Sequence, residues 1–222
     1  MKPFEIRPNN GVWTLTLTDG ENRIGSYAIS EWNRALDQVE NNGSGQVLIA
    51  TGEDKYWSTG LDLDEVHRMS HLERQAFMAR VDALLARIMT APFVTIAALN
   101  GHTYAGGALV ALAFDYRIMR EDRGYFCLPS VDVQIPFTQG MAAMIADKIP
   151  QPTSHDLVVS GRQIGGTEAA KLGVVNEAVG AQDVMRRSQE LAGSLKGKDS
   201  QTLAIVKRRT YPVSIGHLSR TL

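Results

Sequence analysis

Two glycine-containing turns hold the residues of this sequence that are best placed to do chemistry. They span residues 56–64 and 99–107, and each follows a predicted strand and opens a helix. The first N–H groups of such a helix lack partners within it and carry partial positive charge. Two turns of this kind that meet would bind an anion, either a phosphate or an oxyanion that develops during a reaction. The same glycines are also typical of tight turns and close packing, so their spacing leaves both interpretations open.

Neither turn matches a known phosphate or nucleophile motif. Residues 99–107 lack the Gly-Lys-Ser/Thr of a P-loop, and no G-x-G-x-x-G follows a predicted strand. The sequence also lacks the G-x-S-x-G of a serine-hydrolase elbow. These absences argue against nucleotide hydrolysis, dinucleotide binding and serine-hydrolase chemistry.

Four other side chains have types that can bind a metal or react. His67 and His71 are four residues apart on a predicted helix, but Arg68 stands where a zincin motif needs glutamate and no third ligand is evident. We therefore expect a solvated face and no metal site. His102 lies inside the second turn, where a local hydrogen bond is expected. Cys127 has apolar neighbours and is predicted to be a small buried side chain rather than a nucleophile.

The elements that must position the turns follow a pattern typical of α/β proteins. Strands are predicted at residues 4–6, 12–18, 47–50, 93–98 and 116–119, the first two as a hairpin. Helices are predicted at residues 29–39 with Ser30 as cap, 68–89 and 108–114. Strands that alternate with helices indicate a largely parallel sheet. We divide the chain into a core, residues 1–137, and a helical region, residues 138–222, with one short apolar piece at 174–175.

Length and composition exclude several classes of protein. The chain has 222 residues, 44% of them hydrophobic, and a formal net charge of −1, which together indicate a globular protein without a global field for nucleic acid. Its single cysteine cannot form an internal disulfide, and the apolar stretch 92–114 is interrupted by Asn, His and Gly residues. We therefore expect a cytoplasmic protein that binds neither nucleic acid nor a membrane.

Several segments in register resemble one known superfamily. They are residues 57–63 (WSTGLDL), 98–107 (ALNGHTYAGG), 115–118 (DYRI), 161–164 (GRQI) and 169–175 (AAKLGVV). In this order they resemble the crotonase (enoyl-CoA hydratase/isomerase) superfamily over about residues 13–207. Residues 123–129 (RGYFCLP) and 135–137 (IPF) are most similar to its Δ3,Δ2-enoyl-CoA isomerase branch.

This resemblance implies a crotonase-like ββα superhelix with a C-terminal helical trimerisation region, assembled as a homotrimer or hexamer. It also implies an acyl-CoA thioester as substrate or ligand, with no separate cofactor. By motif position, the thioester oxygen is held by the backbone N–H groups of Leu61 and Gly106. The remaining substrate-binding positions carried over from the motifs are Ser58, Gly60, Asp62, Gly107, Leu109 and Lys207. Lys207 belongs to the basic run 207–209, which is also typical of a solvated helix end; the resemblance implies that one residue of this run contacts a CoA phosphate, in the same or a neighbouring subunit.

The sequence departs from the family at both acid/base positions. Hydratases carry glutamate where this chain has Leu109, and a second glutamate follows the proline of the strand-end motif, where this chain has Ser130. Isomerases normally keep only the second glutamate, so Leu109 favours an isomerase over a hydratase. A hydroxyl is too weak a base near neutral pH. Asp132 would share a face with Ser130 in an extended segment and is the leading replacement base.

Three functions remain open at this point. The first is an enoyl-CoA isomerase-like enzyme that forms a thioester enolate, with Asp132 as base. The second is thioester hydrolysis by a bound water on the same scaffold. The third is a protein that binds acyl-CoA and has lost the chemistry, since both glutamate positions are changed.

Overall fold

The computed structural model of the chain describes residues 4–220, which form two β-sheets covered by helices. The larger sheet has the order β1-β2-β3-β5-β7-β10. Its strands are β1 (Phe4–Asn9), β2 (Val12–Leu17), β3 (Val47–Gly52), β5 (Val94–Leu99), β7 (Tyr116–Arg120) and β10 (Glu177–Val179). β1 and β2 form the predicted antiparallel hairpin, and the other neighbours run parallel.

The smaller sheet lies beside the larger one and carries the candidate site. Its order is β4 (Tyr56–Ser58), β6 (His102–Tyr104), β8 (Tyr125–Cys127) and β9 (Ile164–Gly165). Each of β3, β5 and β7 is followed along the chain by one strand of this sheet and then by a helix. These helices are α2 (Leu63–Arg68), α4 (Gly106–Ala113) and α5 (Ser130–Val133). The predicted α/β class and the ββα units are confirmed.

Two further helices of the first half differ in their starts from the prediction. α1 (Ser26–Glu40) begins before Ser30, whose hydroxyl donates to Ser26 O inside the helix, so Ser30 is not its cap. The predicted helix 68–89 is instead α3 (His71–Met89), separated from α2 by a capping box. Ser70 Oγ accepts from Glu73 N–H and the Glu73 carboxylate accepts from Ser70 N–H, which ends one helix and starts the next.

The second half is mainly helical, but it also completes both sheets. Its helices are α6 (Gln139–Lys148), α7 (Thr153–Ser160), α8 (Gly166–Lys171), α9 (Val184–Leu195), α10 (Ser200–Thr210) and α11 (Pro212–Leu218). The apolar piece at Val174 and Val175 is a turn whose N–H groups both donate to Ala169 O. The strands of this region are β9, which pairs with β8, and β10, which pairs with β7.

The larger sheet is buried on both faces, which explains the continuous apolar runs of β3 and β5. Leu48 and Ala97 belong to the main core with α1, α3 and α4, while Val47 and Ile49 pack with residues of α9. Alternate side chains of a strand point to opposite faces, so a strand covered on both sides is apolar at almost every position, and the buried Thr95 of β5 is hydrogen-bonded to Asp115. Within residues 4–220, no helix is long and apolar enough to cross a membrane.

Candidate functional site

The two glycine turns meet because β4 and β6 are neighbouring parallel strands. A Cβ placed on Gly60 would lie 2.8 Å from Gly106 N, and one placed on Gly106 would lie 3.2 Å from Leu61 N. Among the described residues, neither the Leu61 N–H nor the Gly106 N–H donates a hydrogen bond. The predicted pair of donors is therefore brought together, and both N–H groups remain available to a ligand oxygen.

The peptide groups on either side of Leu61 are fixed by a β-bridge to Ile24. Ile24 N donates to Gly60 O at 2.8 Å, and Asp62 N donates to Ile24 O at 3.1 Å. Asp62 is the N-cap of α2, since its carboxylate accepts from Glu65 N–H. Asp62 therefore positions Leu61 from the next peptide group and does not line the cavity at the site.

Ser58, Gly60 and Gly107 shape the contact between the turns. Ser58 Oγ donates to Asn22 O at 2.8 Å and accepts from Gly60 N at 3.1 Å. A Cβ on Gly107 would lie 2.7 Å from Ser58 Oγ, so only glycine allows α4 to begin so close to the first turn. These predicted substrate-binding positions act on the donors through packing rather than by forming the cavity wall.

The two donors lie at the wall of an apolar cavity of about 240 Å³. Among its apolar lining residues are Leu63, Met78, Leu109, Val133, Phe137 and Met141. Its polar lining residues are Thr59, Tyr104, Cys127, Ser130 and Gln163, and within residues 4–220 no Asp or Glu lines it. Leu109 is buried in this wall, so the position where hydratases carry glutamate contributes only apolar surface.

Ser130 and Asp132 do not share a face, because the segment is the short helix α5 rather than an extended strand. Ser130 reaches the cavity wall, but its hydroxyl donates to Ile135 O. The Asp132 carboxylate lies against Gly161, where an added Cβ would be 2.4 Å from its Oδ2, and Asp132 is not among the residues that line the cavity. The expectation that Asp132 shares a face with Ser130 and so reaches the site is therefore wrong.

Cys127 lines the cavity with a thiol of low reactivity. Its Sγ donates to Gly161 O at 3.0 Å and its side chain is buried. Burial, with a smaller contribution from the Asp132 charge, raises the pKa of Cys127 to about 11. The prediction of a small buried side chain is confirmed.

Lys207 is buried with hydrogen-bond partners of its own, which corrects its assignment to CoA binding. Its Nζ is buried and donates to Ala91 O at 3.1 Å, Phe93 O at 2.8 Å and Asp115 Oδ2 at 2.6 Å. Burial lowers the pKa of Lys207, and Asp115 opposes that shift. The basic run suggested a surface patch, but its first member joins α10 to the ends of α3 and β5.

His102 packs among aromatic rings instead of making the expected local hydrogen bond. Its ring lies 5.5 Å from Tyr56, 5.1 Å from Tyr104 and 5.5 Å from Tyr125, measured between centroids. Its Nδ1 is buried without a hydrogen-bond partner among the described residues. Burial, then the charges of Lys55 and Arg123, lowers the pKa of His102.

His67 and His71 lie on a second groove beside the cavity. In the part of the chain that the structure describes, no group of three or more His, Cys, Asp or Glu side chains is arranged to hold a metal ion.

Sequence reasoning assigned no role to two polar residues of the cavity, Tyr104 and Gln163. Tyr104 ends β6 just before the second turn, and burial raises its pKa, so its hydroxyl is a neutral donor. In β6 the buried Thr103 lies between two partly exposed residues, and this alternation could have indicated that Tyr104 faces the cavity. Gln163 lies between α7 and β9, just after Gly161, whose φ of +62° ends α7. No local pattern connects that distant segment with the turns.

Residues 7–211 match the sequence model of the family described as Enoyl-CoA hydratase/isomerase. The chain belongs to this family. Enoyl-CoA delta isomerase 3 of Arabidopsis thaliana is 33% identical over 217 residues, which are 93% of this chain and 91% of that protein. A probable enoyl-CoA hydratase of Bacillus subtilis is 30% identical over 194 residues, which are 86% of this chain and 74% of that protein.

Solved structures of enoyl-CoA hydratase/isomerase proteins share the whole fold. A family protein from Pseudomonas syringae has a TM-score of 0.91 at 24% identity and covers 99% of this chain and 94% of its own. Human mitochondrial delta3-delta2-enoyl-CoA isomerase has a TM-score of 0.89 at 23% identity, with 99% and 87% covered. The predicted crotonase fold is confirmed. Trimer or hexamer formation and a cytoplasmic location stay predictions, and one of the relatives is named as peroxisomal.

Proposed function

We propose that this family member binds an enoyl-CoA thioester and stabilises its enolate, as an isomerase that moves a double bond from C3 to C2. The observation that carries the proposal is the pair of free N–H groups, Leu61 and Gly106, at the wall of a small apolar cavity. Removal of a proton next to a thioester places negative charge on the carbonyl oxygen. One preorganised donor to such an oxygen is worth about 3 kcal/mol in the transition state.

The cavity lining favours isomerisation over hydration. Addition of water needs one group to activate the water and another to protonate the adjacent carbon, whereas a double-bond shift can reuse one group for both transfers. Leu109 offers no proton-transfer group, and Ser130 is already donating to Ile135 O. The wall thus provides neither of the two groups that hydration needs.

For the proton transfer we propose Asp132, entering the cavity by a local rearrangement of α5. Its carboxylate is near enough to contribute to the raised pKa of the cavity thiol Cys127. α5 is a single turn of four residues with an exposed outer face, so its opening involves little buried surface. Because Asp132 must move into the cavity before it can take a proton, we expect a low isomerisation rate.

A second candidate function is acyl-CoA binding without turnover. It is favoured by the same lining, which contains the two donors but no carboxylate among residues 4–220. A thioester would then be polarised in the cavity without losing a proton. Hydrolysis of the thioester by a cavity water is the third outcome that the experiment must separate.

The test is incubation of pure protein with cis-3-hexenoyl-CoA, monitored by ultraviolet absorbance of the conjugated thioester and by release of free CoA. Isomerisation that Asp132→Asn abolishes and Asp183→Asn preserves supports the proposal, since Asp183 is an exposed carboxylate outside the cavity lining. Thermal stabilisation by hexanoyl-CoA without any turnover supports binding alone. Release of free CoA supports hydrolysis. Ser130→Glu places a carboxylate on the cavity wall, and we expect it to increase isomerisation.

A further inference from the structure

A second groove of about 970 Å³ continues from the cavity between α3 and residues 133–138. We call it the outer groove. The cavity and the outer groove share six lining residues, which are Leu61, Met78, Val133, Ile135, Pro136 and Phe137. A chain that starts at the two oxyanion donors can therefore pass over an apolar surface into the outer groove.

The far part of the outer groove is basic. His67, His71 and Arg74 line it, and among the described residues no Asp or Glu does. Arg74 makes no ion pair with any residue in the 4–220 range. The acidic neighbour Glu73 is turned back onto Ser70 N–H in the capping box, so it does not neutralise Arg74 across the groove.

The helix α3 sets the distance between the apolar passage and the basic residues. His71, Arg74 and Met78 have the i, i+3 and i+7 spacing of one helix face. At 1.5 Å rise per residue, Arg74 lies about 6 Å and His71 about 10 Å from the level of Met78 along the axis. The end of a medium-length acyl chain that has passed Met78 can cover this further distance to Arg74 and His71. The pantetheine and nucleotide of CoA are polar, so the part of the ligand suited to the apolar passage is the acyl chain.

We propose that the outer groove binds the distal end of an acyl chain that itself ends in a carboxylate. The preferred ligand is then the CoA half-thioester of a medium-length dicarboxylic acid, with its free carboxylate beside Arg74 and the two histidines. This inference rests on the proposed function, because it takes the thioester oxygen to lie at Leu61 and Gly106. A methyl-ended chain of the same length gains nothing from the unpaired charge of Arg74.

The experiment compares octanedioyl-CoA with octanoyl-CoA by isothermal titration calorimetry. Both ligands are saturated, so neither can isomerise during the measurement. We expect the wild-type protein to bind octanedioyl-CoA about three-fold more tightly, the scale of an exposed ion pair. Arg74→Gln is expected to remove that preference. The matched control is Arg80→Gln, on the same helix but outside the groove lining, which is expected to keep it.

The corresponding pantetheine thioesters separate an effect at the acyl end from one at the CoA phosphates, since they lack the nucleotide. The same preference with these ligands supports a contact with the distal carboxylate. Equal affinity of the two CoA thioesters for the wild-type protein overturns the inference while leaving the proposed function in place. A second result also overturns the inference. If Arg74→Gln weakens the binding of both CoA thioesters equally and does not weaken the binding of the pantetheine thioesters, Arg74 contacts the CoA phosphates. Failure of both CoA thioesters to bind contradicts the proposed function itself.

Discussion

Gly60 is the position where a single methyl group should separate the Leu61 and Gly106 N–H groups, which we propose as oxyanion donors. Its φ is +99°, and the Cβ of an alanine would lie 2.8 Å from Gly106 N, 2.9 Å from Ala105 Cβ and 3.0 Å from Tyr104 O. These three contacts are with backbone or with atoms next to it, so no flexible side chain can give way. The turns must move apart by several tenths of an ångström, or Gly60→Ala must change its own backbone conformation.

The expected magnitude has two parts. Backbone strain at positive φ costs about 1–3 kcal/mol, so we expect the free energy of unfolding of Gly60→Ala to fall by about 2 kcal/mol. Loss of one aligned donor costs about 3 kcal/mol of transition-state stabilisation, which is a decrease of about 100-fold in the isomerisation rate. The stability loss alone leaves the folded fraction almost unchanged in a protein with ordinary stability.

The assay is urea unfolding together with turnover of cis-3-hexenoyl-CoA by the folded variant. The matched control is Gly193→Ala in α9, where an added Cβ meets nothing within 4 Å and φ is not positive. We expect that control to be neutral or to stabilise the protein by up to about 1 kcal/mol, since alanine is the better helix former. Wild-type stability and turnover in Gly60→Ala would refute the contact between the two turns.

Three further predictions concern buried titratable groups. Lys207→Met leaves Asp115 without its cation, and urea unfolding should show a loss of about 3–5 kcal/mol. Burial lowers the pKa of Lys148 from 10.5 to about 8, so the folded state binds fewer protons than the unfolded state between these values. Thermal stability should therefore rise with pH from 8 to 10.5, relative to Lys148→Met, whose melting curves should lack this increment. The raised pKa of Cys127 predicts about 100-fold slower alkylation by iodoacetamide at pH 8 than a free cysteine shows, and fast labelling of the native protein would contradict its burial.

The main sheet could be predicted because its strands are local apolar runs with clear boundaries. The predicted strands 47–50 and 93–98 correspond to Val47–Gly52 and Val94–Leu99. The break at Ser70 was missed because apolar periodicity continues across it, although the Ser-x-x-Glu capping signal was present in the sequence. β10 could not be predicted, since Glu177–Val179 becomes a strand only where it adds to the edge of the sheet at β7.

The candidate site divides in the same way between local and distant determinants. Leu61 and Gly106 could be placed because each donor belongs to a motif whose turn is formed by its immediate neighbours. Asp132 and Lys207 were misplaced because their surroundings come from distant segments: Gly161 for the carboxylate, and the ends of α3 and β5 for the ammonium. Residue type and spacing do not determine such contacts.

Under the proposed function, the lining of the cavity makes an enolate easier to stabilise and harder to form. Backbone N–H groups supply the oxyanion donors, so changes at side chains 109 and 130 leave them in place. The raised pKa values of Tyr104 and Cys127 keep both groups neutral near pH 7, and no carboxylate of residues 4–220 lines the wall. An enolate in this cavity therefore meets partial positive charge without a facing negative charge, which strengthens the interaction in an apolar environment. A glutamate at position 130 would supply a base that becomes neutral as it takes the proton, but in its ionised form it would repel a ligand that already carries negative charge at the thioester oxygen. Ser130→Glu should consequently increase the rate of proton transfer while weakening the binding of acyl-CoA analogues that carry a negative charge at the thioester oxygen.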